Sequence, residues 1–303
     1  MHRTRRTLIP LDATYRARAL PPGSAHYWSW LFAAAPLRAP LLGIFALDAE
    51  WRALMDPCIE PGVAHLKLGW WRDEIQRLAA GSPIHPIGRY LAELPGTARV
   101  DFTPLQAAVD AAAVQVGGVP LEHGADLVPH CRALWGDPLL LASQLAADPA
   151  EAAVAANAAV AGNAGAANAG AAANAAALRE CTSMLAAGGY LSRSIRGYRR
   201  AARTGRVPFA VEELMAAGID NADLAAEPAP AHLQGYLDRL RERAAGHFKT
   251  ALRALPQAER ARQRHLLVLA ALGLEHLNRP AAAPGGRRFK DMLLAWNTAR
   301  RTQ

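Results

Sequence analysis

Apolar positions along the chain recur at helical spacing, not at the two-residue spacing of strands. The segment from Val63 to Leu78 reads VAHLKLGWWRDEIQRL, and Val63, Leu66, Trp70, Ile75 and Leu78 fall at three- to five-residue steps. That pattern predicts a helix with one apolar stripe. Pro57 and Pro61 stand before it and Gly81-Ser82-Pro83 closes it. Thr103-Pro104 opens a second helix, with Thr103 as N-cap and proline in the first turn. Further helices are predicted from about Gly124, from Pro138, from Cys181 to Arg200 and from His232 to Leu255, just before Pro256. A last pair is expected over Ala258 to Leu277 and Phe289 to Arg300. Sustained alternation, Asn-Gly or Asp-Gly turns and long β-branched runs are missing. The predicted fold class is all-α.

Residues 146–179 read AADPAEAAVAANAAVAGNAGAANAGAAANAAALR, with Asn157, Asn163, Asn168 and Asn174 every five or six residues. That spacing fits no helical repeat. Alanine favours helix but buries little, and each Gly or Asn weakens it by roughly 0.5–1 kcal/mol. The tract is a low-complexity insert that either extends a helix or loops out.

Composition changes the picture modestly. At 51% hydrophobic and 20% charged residues over 303 positions, the chain is globular and long enough for a large core. Cys58, Cys131 and Cys181 are far apart and lack CxxC or Cys/His spacing, which favours reduced thiols over disulfides, zinc or iron–sulfur sites. The most apolar run, Trp28 to Leu47, is broken by Pro36, Arg38 and Pro40, so no membrane span is expected. Residues 1–20 are read as a basic tail and not a signal peptide, since no continuous apolar core follows Met1-His-Arg-Thr-Arg-Arg. A cytoplasmic protein fits these features, with peripheral membrane contact left open. The net charge of +8 is carried almost wholly by arginine, the lysines being Lys67, Lys249 and Lys290. It suits an anionic partner, although nucleic acid is disfavoured because no binding motif or aromatic interleaving accompanies it.

The segment Lys67-Leu68-Gly69-Trp70-Trp71-Arg72-Asp73-Glu74-Ile75, followed by Gly81-Ser82-Pro83-Ile84-His85-Pro86, resembles the "KLxWWRxEI … GxPxHP" stretch of the squalene/phytoene synthase superfamily. Gly205-Arg206-Val207, leading to Val211-Glu212-Glu213-Leu214 and Gly218-Ile219, is similar to the "GRxYLP … L…G" segment of that family. Asp126-Leu127 to Cys131 matches its "DLxxYC" helix start more loosely. The resemblance implies one all-α isoprenoid-synthase bundle around a central cavity, over residues 21–280, with the Ala/Asn tract as an insertion. Residues 281–303 would add a loop and a helix.

Active members of that family join two prenyl diphosphates head to head. Aspartate-rich clusters on facing helices hold Mg²⁺, which neutralises the departing diphosphate. Here the resemblance places the first cluster, DDxxD, on Arg52-Ala53-Leu54-Met55-Asp56, so Asp56 alone is left as a metal-binding relic. The second, NxxRDxxxD, falls on Arg193 to Ala201, where Arg196 survives and both aspartates are gone. Asp48 or Glu50 is a substitute ligand if that register is off by a turn. The pattern is closest to the family's degenerate branch, which includes the mitochondrial complex I assembly factor.

Arg193, Arg196 and Arg200 recur at i, i+3 and i+7, with Arg199 and Arg203 beside them and Arg206 beyond. This is either a solvated basic face or, with Arg193, Arg196, Arg200 and Arg206, an anion site that holds diphosphate bidentately. Trp28, Trp30, Trp70 and Trp71 are read as core and helix contacts. His26-Tyr27 is expected just before the first helix, in capping and packing roles. Asp73-Glu74 reads as a solvated face, and His265 and His276 as structural. Glu122, Asp126 and His130 have four-residue spacing, but Gly124 and Pro129 interrupt that face, which disfavours a metal. P-loop, GxGxxG, HExxH and GxSxG motifs are absent from the sequence.

The expectation is therefore a degenerate family member that binds a prenyl diphosphate, another isoprenoid or lipid, or a protein partner in an assembly role, with no cofactor. The alternative is an active Mg²⁺-dependent prenyltransferase. A third reading is an interaction protein with a collapsed core.

Overall fold

The computed structural model describes residues 10–146, 164–277 and 287–302, and every regular element among them is helical. The chain begins with α1 (Ala13–Ala19), α2 (Ala25–Phe32), α3 (Ala35–Leu54), α4 (Pro61–Ala79), α5 (Pro86–Ala92) and α6 (Thr103–Val116). Next come α7 (Leu127–Cys131), a π-helical turn (Arg132–Gly136) and α8 (Asp137–Leu145). The second half holds α9 (Ala164–Ala202), α10 (Val211–Ala216), α11 (Asn221–Ala225), α12 (Ala231–Ala254), α13 (Gln257–Arg260), α14 (Arg264–Leu277) and α15 (Arg287–Arg300). The long α9 lies along α12 and also meets α7, α8 and α14. Around it, α3 packs on α1, α5 and α8, α4 lies on α6, and α14 touches α2, α12 and α15.

The all-α expectation holds, with several corrections to its detail. In α4 the buried stripe is Ala64, Leu68, Trp71, Ile75 and Leu78, while Val63, Leu66 and Trp70 are exposed. Two apolar stripes compete on this helix, and the one carrying Trp71 wins because its indole packs edge-on to Trp51 at 6.2 Å. Thr103 is the first residue of α6 and not its cap; the Asp101 carboxylate accepts from both its N–H and its hydroxyl, at 2.8 and 2.6 Å.

The prolines that interrupt the apolar run from Trp28 to Leu47 do not stop α3. Pro36 falls in its first turn, where no intrahelical N–H is required, and Pro40 lies one turn further on. Burial of Leu37, Leu41, Ile44, Phe45 and Leu47 holds the helix through that defect. His26 and Tyr27 lie inside α2, not before it, because Ser24 is the cap that accepts from Tyr27 N–H at 3.1 Å. Three helices, α1, α2 and α3, thus precede α4, the first whose span is predicted from the sequence. Leu11, Ala19 and Leu20 are buried in the main core, and α1 rests on α3, so residues 10–20 are part of the bundle.

The single helix expected over Ala258 to Leu277 is divided at Ala261–Gln263, where the buried Gln263 side chain accepts from Ser143 Oγ at 3.0 Å. The C-terminal part of the Ala/Asn tract extends α9 from Ala164, alanine propensity outweighing its Gly and Asn residues. The rest, residues 147–163, lies outside the described residues.

His276 Nε2 meets Asp291 Oδ2 at 2.9 Å and ties α14 to α15. His265 is fully buried, and neither ring nitrogen has a hydrogen-bond partner among the described residues. Burial, and secondarily the charge of Arg264, pushes its pKa down from 6.5 to about 3. Between those values the unfolded chain binds more protons than the folded one. Stability therefore falls as pH drops from 6.5 toward 3, by about 2 kcal/mol at pH 5. Urea unfolding from pH 7.5 to 4.5 should show His265→Leu with a flatter acid limb than the parent. An identical limb would mean that His265 is not the group that charges.

Candidate functional site

A chamber of about 210 Å³ opens inside the bundle, walled by α2, α3, the π-helical turn, α9, α12 and α14. Its apolar wall is made by Trp135, Leu185, Phe248 and Leu269. Phe248 can enter because its neighbours are glycines: a Cβ would stand 2.5 Å from the ring at Gly273 and 3.0 Å at Gly188. Arg52, Arg193, Arg196, His26 and Ser192 line the same chamber. A groove of about 360 Å³ shares Arg52 and Arg193 with it and continues past Met55, Asp56, Gln115 and Arg200. Beyond lies a small recess of about 80 Å³ that shares Met55, Pro57 and Ala201 with the groove and reaches His130, Tyr190 and Arg206.

The charges follow from helical spacing. On α3, Asp48 and Arg52 are one turn apart and form an ion pair. Arg52 Nη2 also donates to His26 Nδ1 at 3.1 Å. Since a guanidinium only donates, His26 accepts there and its ring is neutral with the proton on Nε2. The ring is stacked on Phe45 at 4.3 Å. Burial, followed by the charges of Arg52 and Arg193, holds the His26 pKa well below its ordinary value.

Arg193 is open to the chamber yet surrounded by protein, and among the described residues it has no hydrogen-bond or ion-pair partner. Burial first, and then the nearby charge of Arg52, lowers its pKa. Arg196 donates from Nε to Ser192 O of its own helix at 3.1 Å, and burial lowers its pKa too. Ser192 Oγ is turned away to Gly188 O.

The four arginines predicted as an anion site therefore separate. Arg193 and Arg196 share the chamber, whereas Arg200 lines the groove and pairs with Asp56 at 2.8 Å and Cys58 Sγ at 3.1 Å. Arg206 lines the recess and donates to Met55 O at 3.2 Å. Arg199 and Arg203 turn to Glu227, at 3.2 and 3.9 Å. Arg52 and His26 are the site residues that sequence reasoning missed. In the sequence Arg52 stands at the place of a lost aspartate, and its position one turn after Asp48 is the signal that could have found it.

Magnesium needs several oxygen ligands in near-octahedral array. The carboxylates nearest the first motif are each taken by arginine: Asp48 by Arg52, Asp56 by Arg200, and Glu50 by Arg18 at 2.9 Å. Facing them across the chamber and groove are guanidiniums. Among the described residues, no three His, Cys, Asp or Glu side chains come together as a metal site, and these residues do not fit Mg²⁺. Glu122, Asp126 and His130 do not assemble one either; Asp126 caps its own turn through His123 N at 3.2 Å. Asp73 is exposed as expected, but Glu74 is fully buried, a correction to the solvated pair. Of the tryptophans, Trp28 and Trp71 are buried and Trp70 is exposed.

A helical bundle enclosing an apolar chamber with a charged rim defines an isoprenoid-synthase type of architecture. The squalene/phytoene synthase family profile matches residues 22–294, and the chain belongs to that family. Squalene synthase HpnC from Alicyclobacillus acidocaldarius has a similar fold, with TM-score 0.59 and 17% identity over 83% of this chain and 85% of that one. A dehydrosqualene synthase solved in complex with ligand aligns with TM-score 0.60 and 12% identity, over 95% and 98% of the two chains. No curated protein matches in sequence.

Proposed function

We propose that the chain binds a prenyl diphosphate, or an isoprenoid or lipid with a similar anionic head, through guanidinium groups and without ionising it. The observation that carries this is Arg193, an unpartnered guanidinium beside a second cation, Arg52, at the rim of an apolar chamber. Asp48, already paired with Arg52, offsets only part of that repulsion, so a further anion is favoured beside Arg193. Arginine forks suit diphosphate oxygens, and the apolar wall suits the hydrocarbon. Replacement of the motif aspartates, by Arg52, Ala53, Gly197 and Ala201, supports a place beside the family's degenerate branch, which includes the mitochondrial complex I assembly factor.

A second reading is an active head-to-head prenyltransferase, favoured by the squalene synthase and dehydrosqualene synthase that share the fold. The two are separated by incubating the protein with farnesyl or geranylgeranyl diphosphate, with Mg²⁺ or with EDTA. Pyrophosphate release and thermal stabilisation are read in the same samples. The binding role predicts stabilisation in both conditions, about 2.7 kcal/mol at ligand a hundredfold above Kd, with no pyrophosphate. Mg²⁺-dependent release would establish the enzyme instead. Silence in both readouts would point to a protein partner.

A further inference from the structure

We propose that the outward face of α15 docks the protein on an anionic lipid surface. The inward face, Asp291, Ala295 and Ala299, is buried where α15 meets α2 and α14. On the opposite face Phe289, Leu293 and Trp296, at i, i+4 and i+7, are 63%, 37% and 42% exposed. Lys290 and Arg300 on the helix, and Arg301 just after it, are exposed as well, and the Arg300 guanidinium lies 4.8 Å from the centre of the Trp296 ring. The one carboxylate of α15, Asp291, points inward to His276, so its outward face presents apolar and cationic groups without an acid.

That combination fits the boundary between lipid headgroups and acyl chains. Aromatic rings sit at that level, and lysine and arginine reach the anionic heads. A second copy of the chain is a poorer occupant, because a two-fold contact here would set Lys290, Arg300 and Arg301 against their own equivalents. The contact would be peripheral: among the described residues no helix is long and apolar enough to cross a membrane. Its place in the fold adds a reason for it. The helices beneath α15 contribute His26, Gly273 and His276 to the chamber, so docking would bring that chamber close to the bilayer where long isoprenoids dissolve.

The test uses the full chain, no prenyl ligand, and sedimentation with extruded vesicles of phosphatidylcholine alone or mixed with phosphatidylglycerol. Its result is therefore independent of the binding role proposed for the chamber. Binding should require the anionic lipid, weaken with salt, and fall at least ~10-fold in Phe289→Ser/Trp296→Ser. Val63→Ser/Leu66→Ser, which alters exposed apolar residues of α4, should bind like the parent. Thermal unfolding checks that both variants fold. The proposal is overturned by absence of vesicle binding, by equal binding to neutral vesicles, or by undiminished binding of the α15 variant. It is also overturned if the parent is a dimer that this variant dissociates.

Discussion

Changing Arg193 and Arg196 together to alanine should weaken prenyl diphosphate binding at least ~100-fold and leave the fold intact. Hydrogen bonds to charged groups contribute about 1.5–3 kcal/mol each, so losing two guanidiniums reaches that factor even at the lower end. Neither arginine holds another part of the chain together. Arg193 has no partner among the described residues, and Arg196 bonds back to its own helix at Ser192 O. Removing Arg193 also relieves its repulsion with Arg52, so the ligand-free variant should melt no lower than the parent. That opposition, lost affinity with retained or increased stability, is what distinguishes a binding site from a structural ion network.

The neighbouring imidazole gives the same site a pH signature. Without ligand, the His26 pKa is depressed by burial and by Arg52 and Arg193. A bound dianion offsets those two charges and raises it, so protons are taken up on binding and affinity increases as pH falls. Calorimetry in two buffers of different ionisation enthalpy reads that uptake directly. Affinity unchanged by the double substitution, or binding seen solely with Mg²⁺, would remove the guanidinium site.

The helices that were legible in the sequence are those whose apolar periodicity is long and uninterrupted, such as α12 and α15. Those that were not are governed by tertiary packing. α3 keeps Pro40 because five large apolar side chains around it are buried, and no local signal records that compensation. α1 reads as basic because it exposes Arg16 and Arg18 and, of its seven residues, buries Ala19 alone. The site divides in the same way. Loss of the aspartates was visible at fixed spacing, and the arginine run was visible on one helix. That Arg193 and Arg196 line the chamber while Arg199 and Arg203 reach Glu227 depends on where α9 meets its neighbours. The pairing of Arg52 with His26 crosses from α3 to α2, and no one-helix pattern contains it.

Glu74 is a motif residue whose position suggests a solvated face and whose role is the opposite. It sits in a helix that looks amphipathic and polar at that point, yet its side chain has no exposure to solvent. Oε1 accepts from Ile84 N–H at 2.9 Å and His85 N–H at 2.7 Å, and Oε2 accepts from Arg77 Nε at 2.9 Å. The carboxylate thus pins the Gly81–Pro86 segment to α4, joining the two halves of the motif that first suggested the family. Glu74→Ala would leave two backbone donors and a half-buried guanidinium without their acceptor, and should cost about 3–5 kcal/mol. Glu74→Gln should fall between, since its carbonyl oxygen can still serve Ile84 and His85 while its amide faces Arg77 donor to donor. Gly88→Ala tests the same pin from the other side: its new Cβ would lie 2.6 Å from Glu74 Oε1 and 2.9 Å from Pro83 Cβ. Urea unfolding at neutral pH should therefore rank the proteins parent, Gln, Ala, with Gly88→Ala also below the parent. If Glu74→Ala unfolds within 1 kcal/mol (about the effect of an ordinary surface substitution), the buried carboxylate is not what joins these segments.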